Sequence, residues 1–191
     1  MKVKYLLAIV ILSACNSNSE TVEAVAVEGS QIPAGAVLQD YASIPGLQKV
    51  VLKSEEKIVG EGDFMNGKYH GSWTSYDAQG KVTLITTYLH GLKQGTELAF
   101  DNQGYVSSKS YYHNGQLNGE YLLYNRRSIV ERKSYSNGAL NGLQLKYYAS
   151  GTVMEEANYA NGKIDGIARW FDQEGNMTIE YTYSNGELVQ D

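Results

Sequence analysis

From Phe64 onward the sequence returns, every 23 or 24 residues, to an aromatic residue followed two places later by a turn pair. The anchors are Phe64, Tyr88, Tyr112, Tyr135, Tyr159 and Tyr183. The turn pair is Asn-Gly at Asn66-Gly67, Asn114-Gly115, Asn137-Gly138, Asn161-Gly162 and Asn185-Gly186, with His90-Gly91 as the one variant. All fifteen glycines after Phe64 fall into three rows of this pattern. The first row is Gly67, Gly91, Gly115, Gly138, Gly162 and Gly186. The second is Gly71, Gly95, Gly119, Gly142 and Gly166. The third is Gly80, Gly104, Gly151 and Gly175, with Ser128 in the remaining place. Self-similarity at such a period signifies an array of small units stacked on one another.

Asn-Gly is the strongest short signal for a two-residue hairpin turn of type I′, which needs positive φ at both central residues. The other turn reads Asp77-Ala-Gln-Gly80, Asp101-Asn-Gln-Gly104 and Asp172-Gln-Glu-Gly175, and suits a type I turn. Each unit is therefore two short strands and two turns. The expected fold is all-β: a single-layer, twisted antiparallel meander of about eleven strands from five to six units. Both prolines, Pro33 and Pro45, precede the array, as paired strands require.

A two-residue loop fixes register. It sets each anchor opposite the residue five places on, giving Phe64–Tyr69, Tyr88–Lys93, Tyr112–Leu117, Tyr135–Leu140, Tyr159–Ile164 and Tyr183–Leu188. The second-row glycines fall on the same face and are expected to leave room for the anchor rings. With no bulge, Val82, Val106, Val130, Val153 and Met177 share that face too. A second aromatic row, Tyr76, Phe100, Tyr124, Tyr147 and Phe171, then lies opposite. The 23-residue unit predicts an irregularity between Val130 and Tyr135. The second face mixes rings with Thr74, Glu120 and Arg169, which suits recognition, and Trp73 and Trp170 are grouped with it.

The start of the chain, "MKVKYLLAIVILSAC", has Lys2 and Lys4 before an apolar stretch too short for a stable membrane span. Residues 1–14 are expected to be a signal peptide. Leu12-Ser13-Ala14-Cys15 resembles the lipobox of bacterial lipoproteins. That resemblance implies cleavage before Cys15, lipid on its thiol, and an outer-membrane location, facing the periplasm or the outside. Residues 15–45 are small, polar and acidic in their first part and are expected to be a flexible tether. Residues 46–63 are expected to be capping strands ahead of an array over 64–191. The formal charge of −5 makes nucleic acid a poor partner.

The strip Gly62-Asp-Phe-Met-Asn-Gly-Lys-Tyr-His-Gly71 resembles the MORN repeat. The later units resemble its divergent bacterial variant, found in YwqK-family antitoxins. The resemblance implies protein contacts and sometimes membrane contacts. "YDAQGKVTLIT" and "FDQEGNMTIEY" also resemble the Tyr-Asp repeats of toxin shells, which lack the Asn-Gly strip. His70, His90 and His113 lie at or beside consecutive turns without zinc spacing, and no metal or cofactor is expected. Glu155 and Glu156 are adjacent in a strand and point to opposite faces, so they form no acid–base pair. The expectation is no enzyme. Three readings stand: a lipid-anchored protein-binding or scaffold module, an antitoxin or immunity-type protein, and a carbohydrate-binding surface lipoprotein using Trp73 and Trp170.

Overall fold

The computed structural model describes residues 21–23 and 29–189, which form one open antiparallel sheet. The expected signal peptide and Cys15 lie outside the described residues. The N-terminal strands are β1 (Thr21–Glu23), β2 (Val37–Asp40), β3 (Leu47–Ser54) and β4 (Lys57–Met65). The array continues with β5 (Lys68–Tyr76), β6 (Val82–Leu89), β7 (Leu92–Phe100), β8 (Val106–His113), β9 (Gln116–Leu117), β10 (Gly119–Asn125), β11 (Ser128–Ser136) and β12 (Ala139–Leu140). It ends with β13 (Gly142–Tyr147), β14 (Val153–Ala160), β15 (Lys163–Phe171), β16 (Met177–Ser184) and β17 (Glu187–Leu188). β9 and β10 are one strand interrupted at Asn118, as are β12 and β13 at Asn141. Counted so, eleven strands follow the first Asn-Gly turn, as the repeat predicts.

The turns carry the expected backbone. Asn66, His90, Asn114, Asn137, Asn161 and Asn185 all have φ of 48–51°, and each is followed by a glycine at positive φ. All six anchor pairs have the expected register. The turns are also joined to one another. The amide of Gly91 donates to the Tyr69 carbonyl at 2.8 Å, and Gly115, Gly138, Gly162 and Gly186 repeat the bond to Lys93, Leu117, Leu140 and Ile164 at 2.8–2.9 Å. A ladder of turns thus runs along one edge of the sheet. In the Asp turns, Gly80 donates to the Asp77 carbonyl at 3.0 Å. The Asp77 carboxylate accepts from the Gln79 and Lys81 amides at 2.9 Å, and Asp101 repeats this set.

Residues 29–45 are not a tether but part of the fold. The Gln31 amide donates to the Gly67 carbonyl at 2.8 Å, taking the first step of the turn ladder, and its side chain reaches the Gly91 carbonyl and the Tyr69 amide. Ala36 is fully buried, and β2 pairs with β3. The composition is polar, but these residues satisfy backbone groups that the first turns leave open. The main core lies here. Ala36, Val50 and Phe64 have no exposure, Trp73 has 8%, and Ile32, Leu38, Leu52, Tyr69 and Tyr88 pack around them. Tyr69 is the hub of an aromatic stack, with ring centroids 4.3 Å from Phe64, 5.2 Å from Trp73 and 4.6 Å from Tyr88.

Bulges change two expectations. Each second-row glycine does lie opposite the next anchor, as in Gly71–Tyr88 and Gly95–Tyr112. Yet a Cβ at Gly95, Gly119, Gly142 or Gly166 would point toward Thr87, Tyr111, Ser134 or Asn158, each the neighbour of an anchor and so on the other face. These glycines do not make room for rings. They hold φ of +70 to +110° where the strand bulges. The ring-over-glycine packing occurs elsewhere, where Trp73 lies across Gly60 and Gly62.

The second bulge follows the Asp turn. Tyr76 pairs with Val82, but Ser75 pairs with Leu84, leaving Thr83 extra. Phe100–Val106, Tyr147–Val153 and Phe171–Met177 repeat this. The valine row therefore lies with the second aromatic row, not with the anchors. In the short unit Tyr124 pairs with Ile129, so Val130 is the bulged residue and Ile129 holds the valine place. The missing residue comes out of the turn, where Asn125 pairs with Ser128 and Arg126 has φ 57°. From Glu131 to Tyr135 the pairing is regular.

Candidate binding face

Side chains alternate across a strand, so register and parity assign the faces. The anchor face carries the anchors and their partners. It also carries a row that crosses the array through Trp73, Thr86, Glu97, Ser110, Gln144, Ala157 and Ala168. This row is buried or nearly so; Ala157 is 2% and Thr86 1% exposed. Its polar members are satisfied. Thr86 donates to the Glu97 carboxylate at 2.8 Å, Tyr112 also donates to it, and Lys93 is its ion partner. At the N-terminal end this face is closed by Ile32 and Ala36.

The second face carries Tyr76, Phe100, Tyr124, Tyr147 and Phe171, all half-buried, with their aliphatic partners beside them. Next to them runs a row of cross-strand neighbours that begins apolar and ends charged: Ile85, Leu98, Lys109, Leu122, Arg132, Leu145, Glu156, Arg169 and Glu180. Arg169 bridges Glu156 at 2.7 Å and Glu180 at 2.6 Å, and Arg132 pairs with Glu120. Tyr76 donates to the Glu61 carboxylate at 2.7 Å, and Lys49 lies 3.1 Å from the same group. That hydroxyl first, and the Lys49 ammonium next, hold the Glu61 carboxyl below its ordinary range.

The structure separates the residues grouped in the sequence. Tyr76, Phe100, Tyr124, Tyr147 and Phe171 share one face. Trp73 and Trp170 are not on it. Trp73 is three residues from Tyr76, and Trp170 adjoins Phe171, so the period of two puts both on the anchor face. Trp73 is in the core, and Trp170 meets Tyr181 edge-on at 6.0 Å. The two tryptophans therefore form no common platform. Among the histidines, His70 and His90 are 5.6 Å apart by ring centroids, with His70 Nδ1 buried and unbonded, while His113 meets Gln94 and Asn114 instead. Among the described residues no three His, Cys, Asp or Glu side chains are placed to hold a metal ion. Sequence reading missed the cationic turn at Arg126-Arg127, although its signal was present. It is the one turn of its row that loses glycine.

No curated protein matches the chain. The family model for the MORN repeat variant matches residues 69–90, 107–125, 140–161 and 164–185. Each match spans two strands of the meander, joined by a turn of the ladder in 107–125 and by a turn of the opposite edge in the other three. Four segments of this sheet thus match that variant, and the four matched repeats support a MORN-repeat protein.

Proposed function

We propose that this chain is a non-catalytic protein-binding module, held to a bacterial envelope by lipid on Cys15, and that the second face makes the contact. MORN repeats support a repeat protein-binding module. The observation favouring this face is the opposite placement of the two aromatic rows. The anchor face is closed at one end by the chain's own residues 29–38, whereas no described segment covers the Tyr76–Phe171 row. Half-buried tyrosines beside paired arginines and carboxylates give contact area with little side-chain entropy to lose. A partner that is a toxin neutralised by this face is a narrower form of the same reading.

The experiment uses the chain bearing Cys15→Ser, immobilised and exposed to native envelope extract. The Ser variant should itself appear in the soluble fraction. Tyr147→Ala should lose most partner capture while keeping its melting temperature near that of the parent. Tyr159→Ala should retain capture and melt lower. Capture unchanged by Tyr147→Ala would overturn the choice of face, and membrane retention of the Ser variant would overturn the anchor.

A further inference from the structure

The turn between β10 and β11 departs from its row in a consistent direction. Where other units place Ala78-Gln79, Asn102-Gln103, Ala149-Ser150 and Gln173-Glu174, this one places Arg126-Arg127. Neither arginine belongs to an ion pair among the described residues. Two adjoining clefts, of about 670 and 350 Å³, meet at these arginines and Tyr105. The Arg127 guanidinium lies 5.6 Å from the Tyr105 ring centre. The smaller cleft opens on the second face and adds Lys109, Tyr124 and Leu98. No carboxylate lines either cleft, in a chain whose formal charge is −5.

We propose that this cleft binds a short acidic segment of a partner protein, in which carboxylate and aliphatic side chains alternate along one face. The inference rests on the second face being the protein-binding face and names the chemistry of its partner. Unpaired arginines match carboxylates in bidentate geometry, and a ring-stacked guanidinium is held ready for it. Lys109 stands between Leu98 and Leu122 in the cross-strand row, so a cation and apolar contacts alternate at strand spacing. An extended peptide with carboxylate and aliphatic side chains at alternate second positions presents both on one face and meets that alternation, whereas a free phosphate would leave the apolar half unused. An anionic membrane is the poorer occupant. The same edge of the sheet carries Asp77, Asp101, Asp172 and Glu174 at neighbouring turns, and a flat anionic surface would meet them together with the arginines.

The test measures fluorescence anisotropy of a labelled peptide repeating Glu-Ser-Leu-Ser, whose Glu and Leu share one face when extended (the Glu-Leu peptide), on the full chain. The same peptide with Gln for Glu (the Gln-Leu peptide) and phosphatidylserine vesicles serve as comparisons. The Glu-Leu peptide should bind, weaken as salt rises from about 0.05 to about 0.2 M, and bind the double variant Arg126→Gln/Arg127→Gln at least about tenfold less tightly. Lys163→Gln should bind like the parent, and unchanged circular dichroism should show the double variant folded. Equal binding of the Gln-Leu peptide, equal binding by the double variant, or binding to vesicles without binding to the peptide would each overturn the proposal. If the peptide fails while Tyr147→Ala still abolishes partner capture, this inference falls alone. If Tyr147→Ala leaves capture intact, the reading beneath it falls.

Discussion

A methyl group added at Gly60 would stand 2.4 Å from Trp73 Cζ2, although the backbone at Gly60 is ordinary. At Gly138 the reverse holds. The space beside it is open to Gln116 Cβ at 3.9 Å, but φ is +84° and its amide bonds the Leu117 carbonyl at 2.8 Å. Steric overlap and backbone strain are therefore separable by single substitutions. Gly60→Ala should destabilise by about 1–3 kcal/mol, as overpacking does. Adding Trp73→Leu should make the double change cost less than the sum, because the clashing ring is gone. Gly138→Val should lose about 1–3 kcal/mol from its strained φ, with no rescue by trimming a neighbour. Chemical denaturation of the six proteins, counting the parent, Trp73→Leu alone and Lys163→Gln, decides both. Strict additivity at Gly60 would rule out the steric account, and a Gly138→Val midpoint equal to that of Lys163→Gln would rule out the turn account.

The hairpins were legible in the sequence because Asn-Gly encodes one turn and one register. The bulges were not, because an extra residue leaves no compositional mark on a strand of mixed side chains. Thr83, Ser107 and Thr178 read as ordinary strand residues, yet each moves a valine or methionine to the opposite face. The Asp turns do hint at it, since a type I turn followed by glycine at positive φ is the loop that carries a bulge. One product of this geometry is the Tyr76–Glu61 bond across β4 and β5, with two titrating ends. The carboxyl of Glu61 is depressed from its ordinary 4.5, so its contribution is complete above that value and disappears as pH falls through the folded pKa. The Tyr76 hydroxyl is raised above its ordinary 10.0, chiefly by donating to Glu61. Its contribution is complete below 10.0 and disappears as pH rises through the folded pKa. Tyr76→Phe should therefore melt lower than the parent by a constant margin between these limits, and the margin should shrink on both sides. A margin independent of pH across that range would show that the hydroxyl is solvated rather than bonded to Glu61.

Across the whole molecule, the array is covered at one end and open at the other. The sequence suggested near-equal units with a flexible leader. Instead the leader supplies Ile32 and Ala36 to the first units, and their single apolar side chains in a polar stretch gave no periodic signal to read. The far end has no such cover among the described residues. Met177 is 56% exposed, Ile179 45% and Tyr181 47%, against zero at Val50 and Phe64. In a stacked array each unit is stabilised by its neighbours, so local opening should follow this gradient. Hydrogen exchange should find the slowest amides in β3 to β5 and the fastest in β16, with intermediate rates between. Phe64→Ala should cost about 3–5 kcal/mol, the range for deleting a buried ring, and should speed exchange through β4 and β5. Tyr181→Ala removes a half-exposed ring packed edge-on against Trp170, and should cost about 0.5–1.5 kcal/mol with its effect confined to the last strands. Uniform protection from β3 to β16, or equal losses from the two substitutions, would show the sheet opening as one cooperative unit and would remove the graded picture.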